Sequence, residues 1–165
     1  MLPSNIYSEI SKVADRFEFE KYFNWFIHMF VLIDKSKTLN ENKINSLHPI
    51  RPKKGEIYLV EFGQNVGNEL CNNHMGIIVQ DTTRNNYSST VVVVPISSSP
   101  KIHDTHEIIL FKDLKNGHLN KLPSKAKAEQ IICIDKSRLI HKIGELTPEF
   151  MNRLDRKILK VLDIK

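Results

Sequence analysis

Two cysteines, Cys71 and Cys133, are too few to staple a chain of 165 residues, which excludes a disulfide scaffold. A glycine-rich phosphate loop, a nucleotide-binding fingerprint and an internal repeat are also missing, so neither dinucleotide chemistry nor a solenoid is indicated. The opening residues MLPSNIYSEI lack the basic-then-apolar order of a secretory signal, and a cytoplasmic protein is expected. Long apolar runs are absent too. The most apolar window, YFNWFIHMFVLID from Tyr22 to Asp34, is too short to span a bilayer and is interrupted by Asn24 and His28, so it reads as a buried helix.

What is present fits one ordinary globular domain with an appendage: 41% of the residues are hydrophobic. The net charge of +5 is unevenly spread. Residues 1–50 hold six basic and six acidic side chains, leaving 18 basic and 13 acidic in 51–165, so the second part carries all the excess and suits a polyanionic partner.

Periodicity divides the chain near residue 50. Ile6, Ile10, Val13 and Phe17, followed by Tyr22, Phe26, Phe30 and Ile33, have helical spacing, predicting two helices or one kinked helix up to about Lys35. LNENKINSLHPIRPKKG, with Pro49 and Pro52, reads as a linker. The pattern beyond it is extended: Glu56–Phe62, Met75–Gln80, Thr90–Ser97, His106–Phe111 and Ala128–Ile134 are short runs rich in Val, Ile, Tyr and Phe. Pro95 marks an edge or bulge, since proline cannot donate to a ladder. A closing helix is signalled by Thr147 as N-cap, Pro148 at the first helical position, Glu149, and an apolar face of Phe150, Leu154, Ile158 and Val161 or Leu162. The predicted domains are residues 1–50, a helical extension with linker, and residues 51–165, a small β domain.

From Lys54 onward the chain resembles the MazF/PemK family of toxin endoribonucleases. The resemblance rests on collinear segments: KGEIYLVEFGQNVGNE, an apolar strand ending in Gln80, SSTVVVVPISS, KAEQIICIDKSRL and a terminal helix. It implies a mainly β (α+β) fold, an SH3-like barrel with a C-terminal helix, here carrying an N-terminal helical extension. It also implies a homodimer that cuts single-stranded RNA without a metal and is opposed by a cognate antitoxin. Residue by residue, the family's acidic turn falls on Glu69, its arginine on His74, and its strand-end Thr or Ser on Ser97. Cleavage by a neighbouring 2′-hydroxyl needs a base, an acid and donors for the phosphorane charge. Arginine serves mainly the last, whereas histidine, with an ordinary pKa of about 6.5, serves either of the first two. The departure at His74 leaves a second reading open, a non-catalytic nucleic-acid- or protein-binding module on the same barrel.

Candidate RNA contacts are Lys53, Lys54, Arg84, Lys101, Lys121, Lys125 and Lys127, with Tyr87 to stack on a base. Cys71-x-x-His74 and His103-x-x-His106 together offer four zinc-type ligands, but chance pairing is easy among seven histidines; no metal and no cofactor is expected. Cys133 reads as a small buried apolar residue. The aromatic N-terminal segment lies outside the resemblance. It has three surfaces to cover, the barrel, a dimer interface or the RNA groove, and its neutral charge favours packing on the barrel for stability.

Overall fold

The computed structural model describes residues 8, 9, 12 and 16–164. Ile6, Ile10 and Val13, expected on the first helical face, lie outside the described residues. Eight strands follow a long helix: β1 (Glu56–Gly63), β2 (Asn72–Ile78), β3 (Thr90–Ser97), β4 (His106–Ile109), β5 (Leu114–Gly117), β6 (Ser124–Lys127), β7 (Ile132–Asp135) and β8 (Leu139–Leu146). The strand order is β4-β6-β3-β2-β1-β8-β5, with β7 also on β3, and every pairing is antiparallel. This is the mainly β architecture expected, closed by a C-terminal helix.

The central strands are apolar on both faces because both are covered. Val91 and Val93 of β3 join Val60, Phe62, Ile78 and Leu139 in one core, while Val94 and Ile96 join Ile57, Ile77 and Ala126 in another. The second core is sealed by α3 (Pro148–Val161) through Phe150, Met151 and Leu154. Its start is as read from sequence: the Thr147 hydroxyl accepts the Phe150 N–H at 3.3 Å and Pro148 opens the helix. Arg153 then reaches across to Glu107 at 2.7 Å and Asp113 at 2.8 Å, tying α3 to β4.

Pro95 sits inside a central strand. β3 pairs β7 through Thr90–Val93 and β6 through Ile96–Ser97, and proline occupies the changeover, opposite Gly76 of β2 on one side and paired with neither β7 nor β6 on the other. Several other expectations shift. β2 begins at Asn72, so His74 belongs to the strand and not to the loop before it. The run 128–134 is a 3₁₀ turn, Ala128–Gln130, followed by β7, and 106–111 stops as a strand at Ile109. Cys133 is exposed because side chains alternate along β7 and its neighbour Ile134 takes the core face. The helix α2 (Thr82–Tyr87), capped by Asp81, was not anticipated, nor were β5, β6 and β8.

Among the described residues the N-terminal segment holds α1 (Arg16–Glu41), which runs six residues past Lys35 into the expected linker. It is not buried: Leu32, at 7% exposure, is its one buried residue among those described. One face lies on the turn Lys136–Arg138, where Lys35 Nζ donates to the Ser137 carbonyl at 2.5 Å and Ser36 Oγ to Asp135 at 2.9 Å. Further along, Trp25 stacks on the Arg138 guanidinium, 5.3 Å from it, and lies over Gly63, where a Cβ would come within 2.1 Å of the indole.

Candidate active site

The ladder between β2 and β3 ends at Gly76 opposite Pro95, and His74 and Ser97 each lie two residues beyond, at the same end. Strand side chains repeat every two residues, so His74 shares a face with Gly76, and Ser97 with Pro95. Ser97 is opposite Lys125 on β6; Lys127, two residues on, is opposite His106 on β4. Strand register therefore gathers His74, Ser97, Lys125, Lys127 and His106 at one end of the barrel.

The charges there act on one another. Burial, and then the Lys127 ammonium, hold His74 below the ordinary imidazole range, so the ring is neutral at neutral pH. Lys125 is 2% exposed and its Nζ has no hydrogen-bond partner; burial and the Lys127 charge lower its pKa against the pull of Glu129. Burial alone would raise the Glu129 carboxyl, but a backbone hydrogen bond and those from His106 and Thr105 hold it below the usual range. His106 Nδ1 accepts the His103 N–H at 3.0 Å, which puts the ring proton on Nε2, donated to Glu129 Oε1 at 2.9 Å. The Thr105 hydroxyl donates to the other Glu129 oxygen at 3.0 Å, and Lys127 Nζ lies 3.8 Å from Glu129.

Glu69 is placed differently. It lines a cavity of about 530 Å³ with Glu129, Leu70 and Pro95, its carboxylate accepting the Val66 N–H of its own loop at 3.2 Å. His74 lines another cavity of about 530 Å³, with Asn73, His118, Asn120 and His141. Of the three proposed catalytic side chains, His74 and Ser97 are brought to one strand end, and Glu69 lines a different cavity from the one that His74 lines.

The basic residues separate into two groups. Lys53, Lys54, Arg84 and Tyr87 cluster around the far end of β2, where the Gly55 N–H meets the Ile78 carbonyl and Lys54 pairs with Asp155 at 2.8 Å. Four strand residues, about 13 Å, part Ile78 from His74. Lys101 and Lys121 are exposed on loops at the His74 end, in line with Lys125 and Lys127.

Two of the four zinc-type ligands have other hydrogen-bond partners. Cys71 Sγ is held by its own loop, against the Asn65 N–H and the Glu69 carbonyl, and both His106 nitrogens are engaged. Among the described residues no three His, Cys, Asp or Glu side chains converge on a metal position. Sequence reasoning overlooked Glu129 and the His106 contact, although the carboxylate stands two residues after Lys127 in KAEQ. Burial of Lys125 was also missed; the sequence carries no signal of it, because lysines spaced by two around Ala126 read as a solvent-facing side.

Residues 53–162 match the family described as PemK-like, MazF-like toxin of type II toxin-antitoxin system. Endoribonuclease EndoA of Bacillus subtilis (strain 168) is 29% identical over 109 residues, covering 64% of this chain and 90% of that protein. Two solved structures share the fold with TM-scores of 0.57: an endoribonuclease from Mycobacterial species, 21% identical, and MazF from Deinococcus radiodurans, 16% identical. Each spans 70% of this chain, with 94% and 99% of its own length covered. A family match over two thirds of the chain, laid on the mainly β fold described above, establishes that this chain belongs to the PemK-like, MazF-like toxins of type II toxin-antitoxin systems.

Proposed function

We propose that this chain is the endoribonuclease of its toxin-antitoxin pair, cutting single-stranded RNA, mRNA included, by attack of the 2′-hydroxyl on the adjoining phosphate. The observation that carries the proposal is the neutral His74 beside Ser97 and the Lys125–Lys127 pair. His74 takes the 2′-hydroxyl proton. The 2′-oxygen forms its bond to phosphorus, charge gathers on the non-bridging oxygens, and the lysine pair with the Ser97 hydroxyl stabilises it. The bond to the 5′-oxygen breaks, that oxygen takes a proton from an ammonium of the pair, and a 2′,3′-cyclic phosphate remains. Side chains fill every role, so the reaction is proposed to need no metal. We further propose a cytoplasmic homodimer held in check by a cognate antitoxin, a partnership supported by a MazF-fold endoribonuclease solved in complex with its cognate antitoxin. Purified protein incubated with a mixed RNA ladder in EDTA tests the proposal. Discrete fragments ending in 2′,3′-cyclic phosphate, lost in His74→Ala, support it; binding without cleavage would instead favour the non-catalytic module, for which the histidine in the arginine place speaks.

A further inference from the structure

The outer face of α1 is apolar and uncovered. Phe23, Ile27, Phe30 and Val31 recur at helical spacing and are 42%, 50%, 57% and 58% exposed, with Phe26 and Ile33 beside them half exposed. The opposite face, with Trp25 and Leu32, is the one that meets the barrel. With large side chains contributing roughly 150–250 Å² each when complete, the half-exposed apolar residues from Phe17 to Ile33 present on the order of 800 Å². A monomer's largest patch is usually about 300–600 Å², whereas a stable interface buries about 800 Å² on each partner.

The charge pattern selects the occupant. From Tyr22 to Ile33 the helix has no Asp, Glu, Lys or Arg, and over Arg16–Glu41 four basic residues balance four acidic ones. Such a face offers nothing to a polyanion and lacks the basic flank that holds helices to anionic lipid. It is complementary to itself, because two copies meeting about a two-fold axis bury apolar surface without desolvating a charge. The T-shaped Phe26–Phe30 pair, 5.4 Å between ring centroids, supplies rigid anchors. We infer that the outer face of α1 joins two copies of this chain, helix against helix, in an interface additional to that of the homodimer proposed above and independent of any RNA chemistry.

Sedimentation equilibrium of the full chain at tens of micromolar tests this. The variant Phe23→Ser/Ile27→Ser/Phe30→Ser should have half the mass of the parent, with its thermal midpoint within a few degrees because the barrel does not use this face. An identical mass overturns the inference. Should that variant misfold, Ile27→Cys in a Cys71→Ser/Cys133→Ser background should cross-link to itself on mild oxidation, while Glu149→Cys on α3 should not. Failure of Ile27→Cys to cross-link, or flotation of a monomeric parent with phosphatidylcholine vesicles, overturns it as well.

Discussion

To accept a proton His74 must be neutral, and both burial and Lys127 favour that form. Cleavage should therefore rise with pH through a limb below 6.5, the ordinary histidine value, and be flat across neutrality. A rising limb centred above 7.5 in a kcat profile would contradict the assignment, and His74→Ala should lose on the order of 10² to 10⁴ in rate. Lys125 makes the opposite kind of test. A buried ammonium without a partner costs stability, so Lys125→Met should raise the unfolding free energy, by on the order of 1 kcal/mol, while cleavage falls. Thermal melts and a rate assay on one preparation check both halves. That His74 and Ser97 lie near one strand end was legible from the collinear segments of the family resemblance, although the sequence placed His74 one residue before the strand that it occupies. The His106–Glu129 contact was not, since it joins residues 23 apart through the pairing of β4 with β6.

Among the elements, β1 and β3 are readable because their apolar residues face two cores at once. β5 and β6, with sequences LKNG and SKAK, have little apolar or β-branched content; their neighbours in the sheet impose the strand. α1 was recognisable as a helix but misjudged as buried, since apolar content does not tell which face meets the barrel. The seating of α1 depends on Gly63, whose φ of +89° also disfavours any side chain. Gly63→Ala should lever Trp25 away. Trp25 is the sole tryptophan, so a red shift in its emission, with β-sheet circular dichroism retained, reports the detachment; an unshifted spectrum would show that the contact is dispensable.

At the scale of the whole molecule, the surplus positive charge is divided between two ends, and only one of them holds His74. RNA affinity should fall with salt at about −0.7 per phosphate contacted on a log–log plot. That slope should shrink when Lys101, Lys121 and Lys127 are neutralised together and be unchanged when Lys53, Lys54 and Arg84 are. Equal effects from both sets, measured by fluorescence anisotropy with a 2′-deoxy-substituted oligonucleotide, would place the RNA along the whole barrel.

The change of partners at Pro95 has a kinetic consequence. Past the proline, β4 and β6 are paired to β3 by two residue pairs, Ile96–Ala126 and Ser97–Lys125, and are otherwise held by the Arg153 clamp and by Ile109 and Ala126 in the core under α3. Such a flap opens locally at lower cost than β1 and β2, which yield only with the whole barrel. In hydrogen–deuterium exchange the amides of Ile108 and Ala126 should trade their protons well before those of Val60 and Ile77. Each opening uncovers Lys125, giving a threaded strand access to an ammonium that the closed form hides. Turnover would then be gated by the breathing of two short strands.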